Sequence, residues 1–205
     1  TALGNNALNT NSTASKNVAV GHSALFANTL GEQNTALGFK ALTANTTGSN
    51  NVALGSQALQ ANTTGSNNIA IGDQALSTNI SGYANTAIGR NALNVNTTGI
   101  QNVALGNSAL SGVTTGSYNT AIGVNAGNSV ATGTGNVFIG YRAGIFETGN
   151  DNLWIANSST SVSPLIYGDF STNYVGIGTA SPGTALEVNG SISLPATSKV
   201  QFGTV

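Results

Sequence analysis

Asparagine returns in this chain every 17 residues, and that interval constrains the fold more than anything else in the sequence. An Asn opens the motif N-x-A-L/I/V-G at Asn17, Asn34, Asn51, Asn68, Asn85, Asn102, Asn119 and Asn136. A further NLWIA begins at Asn152, one residue early, and TALG at Thr1 fits positions 2 to 5 of a coil. Repeats of fixed period mean stacked units that touch only their neighbours. Seventeen residues are too few for a helical pair, and Val, Ile and Thr in the opening positions favour strand. The expectation is an all-β chain, a β-solenoid or β-roll of 17-residue coils, each with two short strands and two corners. Nine coils stacked at the strand spacing of about 4.8 Å would make a rod about 43 Å long.

With the repeated Asn as position 1, each column of the alignment has its own chemistry. Position 4 is aliphatic throughout, from Leu3 to Ile155, and position 2 is Val, Ile, Thr or Leu. Position 9 is Leu from Leu8 to Leu110, then Gly127 and Gly144. Period-2 alternation puts positions 2 and 4 on one face, and with position 9 they are expected to form the core. Glycine recurs at position 5 (Gly4 to Gly140) and at position 15 (Gly31 to Gly133), marking corners that need positive φ or close approach. Lys16, His22, Glu32, Lys40, Asp73, Arg90, Arg142, Glu147 and Asp151 fall only at positions 6, 7, 12, 16 and 17. Positions 6 and 7 and the NTTGS stretch are therefore expected to face water. The position 1 asparagines are expected to stack as a structural amide ladder.

Position 3 carries Ala36, Ala53, Ala70, Ala87, Ala104 and Ala121, then Phe138 and Trp154. These residues alternate with the expected core, so they should point outward as a small apolar strip suited to the axis of a homo-oligomer. A core this thin makes such an association valuable. Each coil offers only a few buried aliphatics worth roughly 1.5–3 kcal/mol apiece, against a backbone ordering cost of roughly 1–2 kcal/mol per residue.

Composition excludes several classes. Charged residues make up 5% of the chain and the net charge is −1, which argues against a basic nucleic-acid footprint. No apolar run approaches the roughly 20 residues of a membrane span, so the chain is not expected to be membrane-embedded. Hydrophobic residues at 40% argue against disorder. There is no Cys and no Met, and a mature product or excised fragment is the expectation.

At NVALGSQAL and NIAIGDQAL the sequence resembles the head repeats of trimeric autotransporter adhesins, with a longer outer segment in each coil. The stretch NLWIANSSTSVSPLIYGDFSTNYVGIGTASPGTALEVNGSI resembles the part of phage tail fibres and bacterial trimeric surface fibres that precedes an endosialidase-type intramolecular chaperone. Together these resemblances imply a left-handed parallel β-roll, a homotrimer, an extracellular location on a cell surface or virion tail fibre, and a chaperone that is removed after assembly. By its own residues, PLIYGDF, NYVGIGT and SPGTALEVNGSISL read as short strands separated by STN, Pro-Gly and Asn-Gly turns. The division is residues 1–157 as the repeat array and 158–205 as a β-rich region that locks the trimer, with the boundary near 158–163.

Little in the chain points to chemistry. His22 is the one histidine and sits at an outward position, and the carboxylates form no pair at fixed spacing. Asp169 in YGDF reads as a turn cap. No phosphate-binding glycine motif or calcium-roll motif is present, so no enzyme, cofactor or metal site is expected. The NTT, NST and NIS triplets match the N-glycosylation sequon. The expected role is an adhesive head and stalk, with surface glycans or host-cell receptors as partners. A purely structural spacer is the alternative, and ice binding by the stacked threonines is weaker, because adjacent threonines point to opposite faces.

Overall fold

The computed structural model describes residues 1–11, 13–157 and 164–193. These residues are all-β, with thirteen short strands in one sheet in sequence order and no helix. The first nine strands each open one coil: β1 (Ala2–Leu3), β2 (Val18–Val20), β3 (Thr35–Leu37), β4 (Val52–Leu54), β5 (Ile69–Ile71), β6 (Thr86–Ile88), β7 (Val103–Leu105), β8 (Thr120–Ile122) and β9 (Val137–Ile139). Each pairs in parallel with the next at the 17-residue offset, so Ala53 lies opposite Ala70 and Leu54 opposite Ile71. The stack is a β-solenoid of about nine turns.

Each coil has one strand where the sequence suggested two. The far wall is built from turns, because positions 7 and 9 adopt left-handed backbone, as Gln57 (φ 58) and Leu59 (φ 50) do. For non-glycine residues this conformation costs roughly 1–2 kcal/mol. It persists because each turn is still tied to the next coil: Leu59 N–H donates to the Ala75 carbonyl (3.0 Å) and Ala61 N–H to the Ser77 carbonyl (3.0 Å).

The core reverses one expectation. Ala36, Ala53, Ala70, Ala87, Ala104, Ala121 and Phe138 are fully buried, and Trp154 nearly so, while Val52 and Leu54 are 37% and 40% exposed. Alternation fixed which residues share a face, but the width of the coil chose the face. The strand stands against a wall supplying Ala58 and Leu59 in each rung, and those fully buried side chains leave room for only a methyl group opposite. Leucine at position 9 is buried as expected, from Leu25 to Leu110.

Both glycine columns have a packing reason. Gly55 has φ 135, and a Cβ there would meet the Gly72 carbonyl at 2.5 Å. Gly48 has no unusual φ, but a Cβ would strike the Gly65 carbonyl and the Asn45 side chain. The position 5 column serves both backbone conformation and close approach, and the position 15 column serves close approach alone.

Beyond the array, β10 (Asn152–Ile155) still pairs in parallel with β9, whereas β11 (Ile166–Asp169) and β12 (Tyr174–Ile177) run antiparallel and β13 (Leu186–Val188) returns to parallel. The three strands read from PLIYGDF, NYVGIGT and ALEV are thus present. The suggested boundary at 158–163 lies outside the described residues. Trp154 stacks edge-on against Tyr167, ring centroids 5.2 Å apart, and closes the open end of the core.

Candidate functional site

Two asparagine ladders hold the coils in register. In the first, at position 1, Asn51 donates from its backbone N–H and its side-chain amide to the Asn34 Oδ1 (3.0 and 3.1 Å), and its amide also donates to the Gly65 carbonyl (2.9 Å). Asn68, Asn85, Asn102, Asn119 and Asn136 repeat the backbone bond to the preceding Oδ1. The ladder closes where Asn152 N–H donates to Asn136 Oδ1 and the Tyr167 hydroxyl donates to Asn152 Oδ1 (2.8 Å).

A second ladder runs at position 12. The sequence places position 12, the Asn of NTT, in a stretch expected to face water, yet Asn28, Asn45, Asn62, Asn79 and Asn96 are fully buried. Asn62 Nδ2 donates to Asn45 Oδ1 (2.8 Å) and to the Gly65 carbonyl (2.9 Å), which thereby accepts from both ladders. The signal was available in the same 17-residue spacing of these asparagines. Burial of Asn45, Asn62, Asn79 and Asn96 also places those sequons beyond the reach of a modifying enzyme once the coil has formed.

Val113 and Val130 end this second ladder and leave Asn96 Oδ1 buried without a partner. Deleting an internal rung should therefore cost more than deleting the last one. Asn62→Ala strands Asn45 Oδ1 and one Asn79 donor, for about 2–6 kcal/mol at roughly 1–3 kcal/mol per buried unsatisfied group. Asn96→Ala merely exchanges one orphan acceptor for another and should cost about 1 kcal/mol or less. Urea unfolding of the two variants separates the values.

The outward surface of the sheet is aliphatic. Through the pairing register, position 4 forms one file, Leu54–Ile71–Ile88–Leu105–Ile122–Ile139, that continues as Ile155, Ile166, Ile177 and Val188. The file crosses from parallel coils into antiparallel strands without a polar interruption. Beside it runs position 2, with Val18, Val52, Ile69 and Val103 also exposed. This face occupies the place that was assigned to the alanines. The alanines themselves cannot meet a partner, since they are enclosed by their own coil.

Polar chemistry elsewhere is structural. His22 stacks on Phe39 with centroids 5.6 Å apart. Asp169 Oδ1 accepts from the Ser171 N–H and hydroxyl and from the Thr172 N–H, which caps the turn after β11 and holds its carboxyl below the usual range. The position 13 threonines spend their hydroxyls between coils, as Thr46 Oγ1 does on the Thr63 carbonyl (3.0 Å). Thr47, Thr64, Thr98 and Thr115 face outward. Among the described residues no group of His, Cys, Asp or Glu could hold a metal ion, and no helix is long and apolar enough to cross a membrane. No protein-family model, curated protein or solved structure matches the chain.

At the closed end, Glu147 replaces the Asn of position 12 and accepts from the Trp154 indole N–H (3.0 Å) and the Thr148 N–H (2.9 Å). Burial, with Asp169 and Glu147 adding repulsion, raises the Tyr167 phenol above its usual value. A raised phenol pKa favours the protonated form in the folded state. Its stabilisation is therefore complete below pH 10 and is lost as pH climbs through the folded-state value. Tyr167→Phe should lower stability near neutrality by about 1 kcal/mol and flatten the alkaline limb of a thermal melting series.

Proposed function

We propose that this chain is a segment of an extracellular homotrimeric fibre, an adhesive head and stalk displayed on a cell surface or a phage tail. The observation that carries the reading is the unbroken aliphatic file on the outer face of the sheet. Solubility and folding of a lone chain give no reason to maintain Val, Leu and Ile at that surface, and contiguous apolar patches of this extent mark interaction sites. A neighbouring copy offers apolar residues at the same rise and so meets the file along its whole length. The number three and the outside location rest on the resemblance to adhesin heads and tail fibres. In this reading strands β11 to β13 extend the interface and lock the trimer. Surface glycans or host-cell receptors are the ligands, engaged through the outer NTTGS loops and positions 6 and 7 by many weak contacts that sum to avidity.

Native mass measurement tests the assembly, with a mass three times that of the chain as the expected result. Leu54→Glu and Ile71→Glu should each weaken association at least about a hundredfold, on the order of 2–3 kcal/mol. The far-UV spectrum of the β-solenoid should persist, because these side chains lie outside its own core. The neutral, repetitive outer columns favour a second reading, a structural spacer without ligands of its own. Glycan and cell-binding assays on the trimer separate the two, and thermal hysteresis in cooled solution would point to ice binding instead.

A further inference from the structure

An aliphatic file of constant rise does not set its own alignment. Two copies facing each other through it could slide by one coil, about 4.8 Å, and rebuild nearly the same contacts, as regular strands slip in register. Residues that break the repeat must fix the alignment, and they stand at the two corners flanking each strand. The corner before the strand holds positions 16 and 17, and the corner after it holds positions 6 and 7. In the plainest coil both are neutral and polar, Ser49-Asn50 before β4 and Ser56-Gln57 after it.

Four rungs from β2 to β8 depart from that pattern at both corners, and in three of them the departures are complementary. Glu32 precedes β3 and Lys40 follows it; Tyr83 precedes β6 and Arg90 follows; Tyr118 precedes β8 and Val124 follows. All six lie at the surface, exposed or half-buried. Within one chain the members of a pair do not meet, because the three-residue strand between the corners alone spans about 10 Å at roughly 3.3 Å per residue. Their partners inside the chain are others: Glu32 accepts from the Ser15 hydroxyl (2.8 Å), Lys40 lies over the Phe39 ring, and Arg90 is 3.8 Å from Asp73. Tyr118 shares its left-handed backbone (φ 61) with Lys16, Gln33, Asn50, Asn67, Ala84 and Gln101 at the same column, so that conformation does not call for an aromatic ring there.

A cyclic assembly about an axis parallel to the rod, with the aliphatic faces inward, sets the leading corner of one copy beside the trailing corner of the next at the same height. We propose that these corner pairs are the register key of a parallel homo-oligomer, aligning each coil with the same coil of its neighbour. Glu32 pairs with Lys40 across the interface, Arg90 lies against the Tyr83 ring, and Tyr118 packs on Val124. The remaining charged corners, Lys16 with His22, Asp73 opposite Ser66-Asn67, Arg142 opposite Thr134-Gly135 and Asp151 opposite Ala156-Asn157, contribute no match. The inference rests on the oligomeric reading above.

Because the chain contains no cysteine, paired substitutions give an unambiguous readout. Under oxidation, E32C/K40C should form interchain disulfides with dominant bands at two and three chain masses. E32C/Q74C, displaced by two rungs or about 10 Å, exceeds disulfide reach and should not. Charge reversal gives a second measurement free of oxidation: E32K should weaken assembly and E32K/K40E should restore it. A monomer in native mass measurement of the unmodified chain overturns the oligomeric reading and this inference with it. An oligomer that cross-links through E32C/Q74C, or that leaves E32C/K40C uncrosslinked and E32K/K40E unrescued, overturns the register key alone.

Discussion

Asn68→Ala is expected to destabilise the array by about 2–6 kcal/mol, roughly 1–3 kcal/mol for each of two stranded donors. Asn68 Oδ1 accepts from both the backbone N–H of Asn85 (3.0 Å) and its side-chain amide (3.2 Å), and Asn85 is fully buried. Without that oxygen the Asn85 backbone N–H and one amide hydrogen have no other acceptor within the coil, while the second amide hydrogen keeps the Gly99 carbonyl (2.8 Å). The Gly82 carbonyl is less affected, since it also receives the Asn79 amide. Asn68→Asp makes the sharper comparison. It keeps an acceptor for Asn85 but sets a charged oxygen against Gly82 and Asn51, so at neutral pH it should cost more than alanine. Burial raises the pKa of the introduced carboxyl, and its protonated form can donate, so the excess penalty should shrink as pH falls. Chemical denaturation at two pH values checks both statements. Equal stability of the alanine variant and the parent would remove the ladder from any account of what holds the coils together.

The second large effect concerns Phe138. This ring stands in a column of alanines and fills space left by glycine at position 9 in two successive coils. A Cβ on Gly127 would meet Phe138 Cδ2 at 2.5 Å, and one on Gly144 would strike the same ring. The aromatic and the two glycines are thus one volume exchange for an alanine between two leucines. Phe138→Ala should cost about 3–5 kcal/mol through the cavity it leaves, and Gly144→Leu alone should overpack the site by about 1–3 kcal/mol or more. Combined with Gly127→Leu, the triple variant recreates the arrangement of the preceding coils and should recover to within about 1 kcal/mol of the parent. Leucine is compatible with the backbone there, because Gly127 (φ 60) and Gly144 (φ 58) share the left-handed conformation that Leu110 (φ 50) adopts. Non-additive recovery in urea melts would establish the exchange, and three costs that simply summed would refute it.

That exchange also shows which parts of the molecule are legible in the sequence. The substitution of Gly127 and Gly144 into the leucine column, and of Phe138 into the alanine column, is visible as three breaks in fixed columns. Their compensation is invisible until Phe138 is known to point inward. The second asparagine ladder has the same character. Asn45 and Asn62 keep the spacing of the first ladder, but their place in NTTGS, among threonine, serine and glycine, reads as solvated loop. Only the approach of the Gly65 carbonyl, reached by Asn51 and Asn62 from two sides, turns that loop into a buried wall. The turn cap at Asp169 needed nothing beyond its local sequence, because all three of its donors follow within a few residues.

By itself the sequence determined the period, the stacking of like on like, the glycine corners and the files in which side chains lie, because a constant interval leaves no other way for neighbouring coils to pair. It did not determine which side of the strand is the inside. Period-2 alternation separates Ala53 from Val52 and Leu54 without saying which faces the core, and bulk suggested the larger residues. Only the tertiary structure decided that point: Leu59, folded inward from the opposite wall, leaves a gap that a methyl group fills and an isobutyl group cannot, so the alanines go in and the aliphatic file is turned out.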